Sequence, residues 1–367
     1  MALAGTLSLL VLDSARPAVL GGIERALADL AARARARGCD ARAAGRRGSR
    51  FAAHCRALAV PTVELPLRNG LDVSSVLGLR RLYCAHGTGA VLGATTRDAR
   101  LAGMARLGAR RPRVALLMGL PMIRDSWAHR FTYRRFVDAL ITPTQWLRER
   151  VARYPFTARL AVAVLPDGVD ESRFPPLAGL AEARRAARAA CGVRPGQALL
   201  LSVGHLVERK NLLSVPPLLA GLPPGADWEW WVAGDGPQEA ELRAAVARHG
   251  LERRVRLLGA RTDVPELLLA ADALVMPSRM EQLPLAALEA RRAGVPHALV
   301  AGVGAVAEMR AMGLTVLPPG EAETWRQALE RAVAAPGGCA APERWDRGVE
   351  ETAARRLEFL ARLAGEP

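Results

Sequence analysis

One lysine, Lys210, occurs among 51 Lys and Arg residues. It sits beside Arg209 in Leu201-Ser-Val-Gly-His-Leu-Val-Glu-Arg-Lys-Asn211, where an apolar run ends at Gly204 and a loop follows. Two cations just after a strand end are well placed to meet a diphosphate. A chain that otherwise uses only arginine here uses a compact, flexible ammonium, which suits the oxygen of a departing phosphate. A second group lies in Pro277-Ser-Arg-Met-Glu281-Gln-Leu-Pro-Leu-Ala-Ala-Leu-Glu289. Pro284 fits a first helical turn, where a missing N–H costs nothing. The N–H groups of that turn favour a phosphate. Glu281 would precede the helix and Glu289 would lie one turn inside it, and carboxylates accept well from the hydroxyls of a sugar or ribose. Either Glu could equally be a helix-start charge that complements the dipole. The turn in Trp231-Val-Ala-Gly-Asp-Gly-Pro237 and the pair Val303-Gly304 before Glu308 are weaker signals of the same kind.

Elements that could position these residues follow from hydrophobic spacing. Leu7–Leu12 is a compact apolar run, as a strand buried on both faces should be. Gly21-Gly22 follows, then Ile23–Arg37 with apolar residues at helical spacing, closed by Gly38. Further strands are expected at Val63–Leu67, Ala90–Ala94, Val114–Met118, Ala139–Thr142 and Val162–Leu165, with helices at Arg97–Leu107, His129–Val137 and Gln145–Arg153. Pro166-Asp-Gly-Val-Asp170 and Phe174-Pro-Pro176 read as a linker. The pattern then restarts. Strands are expected at Ala198–Val203, Trp228–Ala233, Val255–Leu258, Ala273–Met276 and His297–Val300, with helices at Gln238–His249, Val264–Ala270 and Leu285–Gly294. Arg344–Leu363 reads as a charged terminal helix. Strands alternating with helices predict α/β units with parallel sheets covered on both faces. The expected division is residues 1–170, 171–343 and a terminal helix at 344–367 that returns to the first domain. Ligands in such sheets sit beyond the carboxyl ends of the strands.

The formal net charge of +15 is unevenly placed. Residues 1–175 hold 28 Arg against 13 acids, whereas the remainder holds equal numbers of bases and acids. An anionic partner of the first half is expected: a phosphorylated acceptor, an anionic membrane face or nucleic acid. The few aromatic residues weigh against single-stranded nucleic acid. The arginines of Arg97–Arg113, read as one helix, suit an anionic leaflet. The five cysteines form no CxxC pair, which fits a reducing cytosol rather than a zinc site or disulfide framework. The apolar N-terminus lacks a basic segment and meets Asp13 early, so a first strand is expected rather than a signal peptide. No run reaches the roughly 20 apolar residues of a spanning helix. No Asp-x-Asp motif is present, so no metal is implied.

The order of motifs is more specific than any one of them. Val203-Gly204…Arg209-Lys210, Gly234-Asp-Gly-Pro237, Val255–Gly259, Asp263-Val-Pro-Glu-Leu267, Ala271-Asp272, Pro277-Ser278, Glu281-x7-Glu289, Gly294-Val-Pro296 and Gly304…Glu308 occur in sequence. This series resembles the donor domain of the retaining group 1 (family 4) glycosyltransferases. Gly21-Gly-Ile-Glu-Arg25 and the Pro166–Asp170 linker extend the resemblance over nearly the whole chain. It implies a GT-B fold, with two Rossmann-like doubly wound domains facing across a cleft. It also implies metal-independent transfer of a hexosyl or related group from a UDP-, GDP- or ADP-linked sugar to a saccharide or lipid-linked acceptor. Lipopolysaccharide core or surface polysaccharide synthesis is the expected setting. No cofactor is implied. The expected location is cytoplasmic, at the inner face of the plasma membrane where the acceptor is lipid-linked.

By resemblance, Lys210 would neutralise the leaving diphosphate, Glu281 would hold donor-sugar hydroxyls and Glu289 the ribose. The amides near Leu283 and Leu285 would face sugar and phosphate, and Gly21 and Gly22 would let the first domain approach the diphosphate. The chain departs from the family at three places. His205 stands where Arg is usual, leaving Arg209 to complete the diphosphate clamp. Gln282 stands where Gly is usual, which alters donor-sugar contacts. Thr95, Thr96 and Arg97 occupy a stretch that commonly carries a histidine, and become the acceptor candidates. The other readings are a GT-B epimerase and a non-catalytic nucleotide-sugar-binding scaffold. A phosphorylase would need a lysine for pyridoxal phosphate, and the single lysine is already on the donor loop.

Overall fold

The computed structural model describes residues 7–18, 20–109, 111–118, 123–281, 283–342 and 346–365. The chain divides into two compact units, Met1–Gly168 with Val349–Pro367, and Val169–Gly348.

In the first unit the chain order is β1 (Ser8–Asp13), α1 (Gly22–Ala36), β2 (Asp40–Arg46), α2 (Arg50–Ala57), β3 (Thr62–Leu65), α3 (Val73–His86), β4 (Ala90–Gly93), α4 (Thr96–Ala105), β5 (Arg113–Leu117), α5 (Trp127–Phe136), β6 (Ala139–Thr142), α6 (Gln145–Ala152) and β7 (Ala161–Val164). The seven strands form one parallel sheet in the order β3-β2-β1-β4-β5-β6-β7. Leu9 and Val11 of β1 enter one apolar layer with Leu27, Leu30 and Ala34 of α1. Leu10 and Leu12 enter the opposite layer with residues of α3, α4 and α5. A strand buried on both faces must be apolar along its interior, and Leu9–Leu12 of β1 are. Side-chain caps start the helices: the Asp72 carboxylate receives the Ser75 N–H, Thr95 Oγ1 that of Asp98, and Thr144 Oγ1 that of Leu147.

In the second unit the order is α7 (Leu180–Ala190), β8 (Ala198–Val203), α8 (Val215–Ala220), β9 (Trp228–Ala233), α9 (Glu239–Arg248), β10 (Val255–Gly259), α10 (Val264–Ala270), β11 (Ala273–Met276), α11 (Leu285–Arg292), β12 (His297–Ala301), α12 (Val306–Ala311), β13 (Thr315–Leu317) and α13 (Ala322–Ala334). Its six parallel strands run β10-β9-β8-β11-β12-β13. The last helix, α14 (Val349–Ala364), belongs to the first unit, where Leu357, Leu360 and Ala361 join the core beneath α1. Arg356 of α14 donates to Asp167 at 2.7 Å.

Several elements escape hydrophobic spacing. β2 is Asp-Ala-Arg-Ala-Ala-Gly-Arg, and it lies inside the sheet because small residues such as Ala41, Ala43 and Ala44 fit between two helical layers. Spacing also gives no sign of α2, α3, α7, α8, α12, α13 or β13. The helix expected over Arg97–Arg113 is corrected: α4 ends at Ala105, and Arg113 opens β5. Three of its arginines bond back to the fold, Arg97 while remaining exposed. Arg97 donates to Ser14 O, Arg100 to Thr132 Oγ1, and Arg106 to Asp138 and the carbonyls of Pro112 and Phe136. No helix of the described residues is long and apolar enough to cross a membrane.

Candidate functional site

Strand order reverses between β8 and β11 in the second unit, and at such a switch the loops beyond the strand ends part to leave a crevice. The loop after β8 carries Gly204 to Asn211, and the loop after β11 carries Pro277 to Pro284. Side chains join them. Lys210 Nζ donates to Glu281 Oε1 at 2.5 Å. Arg209 Nη1 reaches the same oxygen at 3.1 Å and the Met280 carbonyl at 3.1 Å. Arg279 N donates to Arg209 O, and Asn211 Nδ2 to Pro277 O. Two cations on one carboxylate leave a local excess of positive charge. Lys210 and Glu281 are largely buried, so water screens that excess only partly.

The floor is built by glycine contact. A Cβ on Gly234 would lie 1.9 Å from Gly204 O, so the turn after β9 can press on the loop after β8 only without a side chain. Leu206 N donates to Asp235 O at 2.7 Å, and Gln238 N to Leu206 O. A small pocket is bounded by Gly204, Lys210, Met276 and Ser278. Ser278 is buried, and its Oγ has no hydrogen-bond partner among the described residues.

The other donor candidates are scattered around this pair. His205 is exposed, with Nδ1 3.5 Å from Asp235 Oδ1. Pro284 caps α11, and Leu285, its first residue, is partly exposed. Leu283 is core, so its backbone alone remains for a ligand. Gln282 lies outside the described residues. Glu289 is one turn into α11, with Arg173 Nη1 3.6 Å from its carboxylate. Sequence reading offered no signal for Arg173, and it gave Ser278 only as part of the Pro277-Ser278 piece of the motif series. Asp272, by contrast, is a frame residue: it is buried, held by Arg188 at 2.6 Å, and accepts from Leu199 N and Gly337 N.

In the first unit the order reverses between β1 and β4, and the remaining candidates gather there. Gly21 caps α1, its N–H held by Glu24 Oε2 at 2.8 Å, and Gly22 begins the helix. Thr95 and Thr96 start α4. Asp98 is fully buried and accepts from Ser14 N, Ala94 N and Thr95 N. Burial pushes its carboxyl pKa up. Asp13, at the end of β1, is the residue sequence reading passed over. Burial, reinforced by Asp98 and by Glu24, raises it to about 7. Its Oδ1 accepts from Ala15 N, while Oδ2 has no partner among the described residues. A charged residue closing an apolar strand was the available signal.

Two all-parallel doubly wound units, each with its candidate residues at the strand-order switch, define the GT-B class of α/β proteins. Residues 183–351 match the family described as Glycosyl transferases group 1, and residues 20–173 match Glycosyltransferase Family 4. The chain belongs to the group 1 glycosyltransferases. Over 152 residues it is 35% identical to a lipopolysaccharide core biosynthesis mannosyltransferase of Rhizobium meliloti, covering 40% of this chain and 42% of that one. It is 30% identical over 220 residues to a 2-deoxystreptamine glucosyltransferase of Streptomyces kanamyceticus, covering 57% and 56%. The chain thus spans about half the length of the curated relatives it matches. Among solved structures, Anabaena HepE in complex with UDP-glucose superposes with a TM-score of 0.78 at 22% identity, over 96% of this chain and 99% of that one. Fold and family agree with the order of motifs.

Proposed function

We propose that the chain transfers a sugar from a nucleoside-diphosphate sugar to a saccharide or lipid-linked acceptor, with retention at the anomeric carbon. Lipopolysaccharide core or surface polysaccharide synthesis is the setting, which the named activity of the Rhizobium relative supports for the lipopolysaccharide core, and the bacterial cytoplasm is its proposed place. One observation carries the reading: Lys210 and Arg209 converge on Glu281 at the switch point of the second sheet. As the anomeric C–O bond breaks, its electron pair passes to the diphosphate. The two cations stabilise that charge, so the step asks for no metal. Glu281 turns its carboxylate to donor-sugar hydroxyls, and Glu289 accepts from the ribose. The acceptor oxygen attacks the same face and passes its proton to the departing phosphate oxygen. Gly21 and Gly22 belong to the diphosphate end of the reaction, and Thr95, Thr96 and Arg97 to the acceptor.

Lys210→Ala is expected to lower kcat by about 10²–10³-fold, the cost of losing one preorganised charge at a leaving oxygen. Nucleotide release from UDP-, GDP- and ADP-sugars, with thermal shifts against the free nucleotides, measures this and selects the base. Nucleotide binding without turnover of any donor would overturn the reading in favour of a binding protein.

A further inference from the structure

The carboxyl ends of four adjacent strands, β3, β2, β1 and β4, carry a row of arginines. Arg68 follows β3. Arg46 ends β2, and Arg50 opens α2 after a short loop. Arg16 follows β1, and Arg97 lies in the first turn of α4. Arg46 is half-buried and the other four are exposed. Neighbouring strands lie about 4.8 Å apart, so these guanidiniums share one edge. Bonds between loops hold that edge together: Arg50 N donates to Pro17 O, Arg47 N to Leu65 O, and Ser14 N to Asp98 Oδ1.

Within the unit, no carboxylate answers this charge. Arg16, Arg46, Arg50 and Arg68 have no side-chain partner among the described residues, and Arg97 meets only the Ser14 carbonyl. The nearby acids are engaged elsewhere. Asp13 and Asp98 are buried, Glu24 holds Gly21 N, and Asp72 caps α3. Glu64 takes Arg56 and the Gly48 N–H, with Arg47 close by. At the opposite edge of the same sheet, carboxylates stand beside the arginines: Glu350 with Arg33 and Arg37, Asp40 with Arg42, and Asp138 with Arg106 and Arg113. The uncompensated edge is the one where ligands of a doubly wound sheet sit.

The neighbouring groups say what kind of anion fits. Arginine forks match phosphate oxygens. Residues 14–21, 46–50, 66–72 and 94–97 contain no aromatic residue, so the bases of a single strand would have nothing to stack on. In the middle of the row, Asp13 Oδ2 and Ser14 Oγ are buried without a partner among the described residues. A buried polar atom left unpaired is costly, and a sugar hydroxyl can satisfy both kinds.

We propose that this edge binds a phosphorylated saccharide, its phosphate held by Arg46, Arg50 and Arg16 and its hydroxyls by the end of β1. That this saccharide is the acceptor rests on the sugar-transfer reading; that it binds does not.

Calorimetric titration of the full chain with hexose monophosphates, the parent hexoses, inorganic phosphate and glycerol phosphate tests this. A hexose monophosphate is expected to bind at least about tenfold more tightly than the others, and high salt should weaken it. Arg46→Gln with Arg50→Gln should lower that affinity by about tenfold or more. Lys210→Ala should leave it unchanged, which separates this edge from the loop after β8. Arg50 faces solvent and Arg46 is half-exposed, so unchanged circular dichroism shows that the double variant is folded. Parent hexoses that bind as well as their phosphates overturn the proposal, as does the absence of binding by any hexose monophosphate. Equal affinity for glycerol phosphate overturns it in favour of a lipid headgroup. Loss of binding in Lys210→Ala, with none in the arginine variant, overturns it in favour of the second unit. Hexose monophosphate binding by a chain that turns over no donor would leave this site standing and defeat sugar transfer. Transfer to neutral sugars, undiminished in the arginine variant, would do the reverse.

Discussion

Asp13 carries an unusual load for a single carboxyl. It ends a strand buried from Leu9 onward, lies near Asp98 and Glu24, and keeps one oxygen without a partner among the described residues. Its folded pKa of about 7 stands above the value near 4 expected in the unfolded chain. Between these values the folded state binds more protons than the unfolded state, so the contribution of Asp13 to stability falls as pH rises through this window. Asp13→Asn removes the buried charge. It should raise stability by about 1–3 kcal/mol more at about pH 8 than at about pH 5. Urea melts at both pH values measure the difference, and an equal effect at both would refute the assignment. Lys210 illustrates the opposite case, since its rarity pointed to a role before any partner was known. What remained hidden was that Arg209 and Lys210 share one oxygen of Glu281, 71 residues away from Lys210.

Loops at the strand ends act as units. The turn after β9 and the loop after β8 meet backbone to backbone at Gly234 and Gly204, and Asn211 ties the second of these to Pro277. Displacement of one therefore moves the cations over the pocket. Gly234→Ala places a methyl against a carbonyl that cannot yield locally, at a cost of about 1–3 kcal/mol. It should also weaken nucleotide binding by about tenfold or more, because shifted cations lose their aim. Calorimetric titration with the nucleotide found by screening decides this, and unchanged affinity would show the floor to be mere punctuation. At this scale sequence reading was uneven. Ala198–Val203, Trp228–Ala233, Ala139–Thr142 and Ala273–Met276 match residue for residue, because runs of large apolar side chains define strands buried on both faces. β2 carries small alanines between polar residues, and its pattern has no meaning until two helical layers close over it.

Chain order and unit membership differ in one place that affects the whole molecule. α14 follows the second unit in sequence and packs into the first, where Leu357 and Leu360 are fully buried. Leu357→Ala or Leu360→Ala should destabilise the first unit by about 2–5 kcal/mol, through lost transfer energy and the cavity left behind. Hydrogen exchange followed by mass spectrometry should show the loss in β1, β4 and α1, with β8 and β11 unchanged. Uniform loosening of both units would contradict the division. The charge asymmetry belongs to this scale as well, and the structure redistributes it: Arg100 and Arg106, expected on one basic helix, are tied inward, while Arg134 and Arg135 on α5 face water beside exposed aromatic side chains.

By itself, the sequence determined the class, two α/β units with parallel sheets, and the residue types of the loop after β8 that carries Lys210. Such properties are local: strand runs, turn residues and motif order need no distant partner to be read. Tertiary structure alone decided which charges meet, since ion pairs such as Lys210–Glu281 and Arg106–Asp138 depend on how loops 30 or more residues apart are brought together by the sheet. It alone decided that Asp13 is buried against Asp98, and that Trp127 and Phe131 face water. Burial is a property of the packed layer, and no spacing of residues along one helix states which neighbour will cover it.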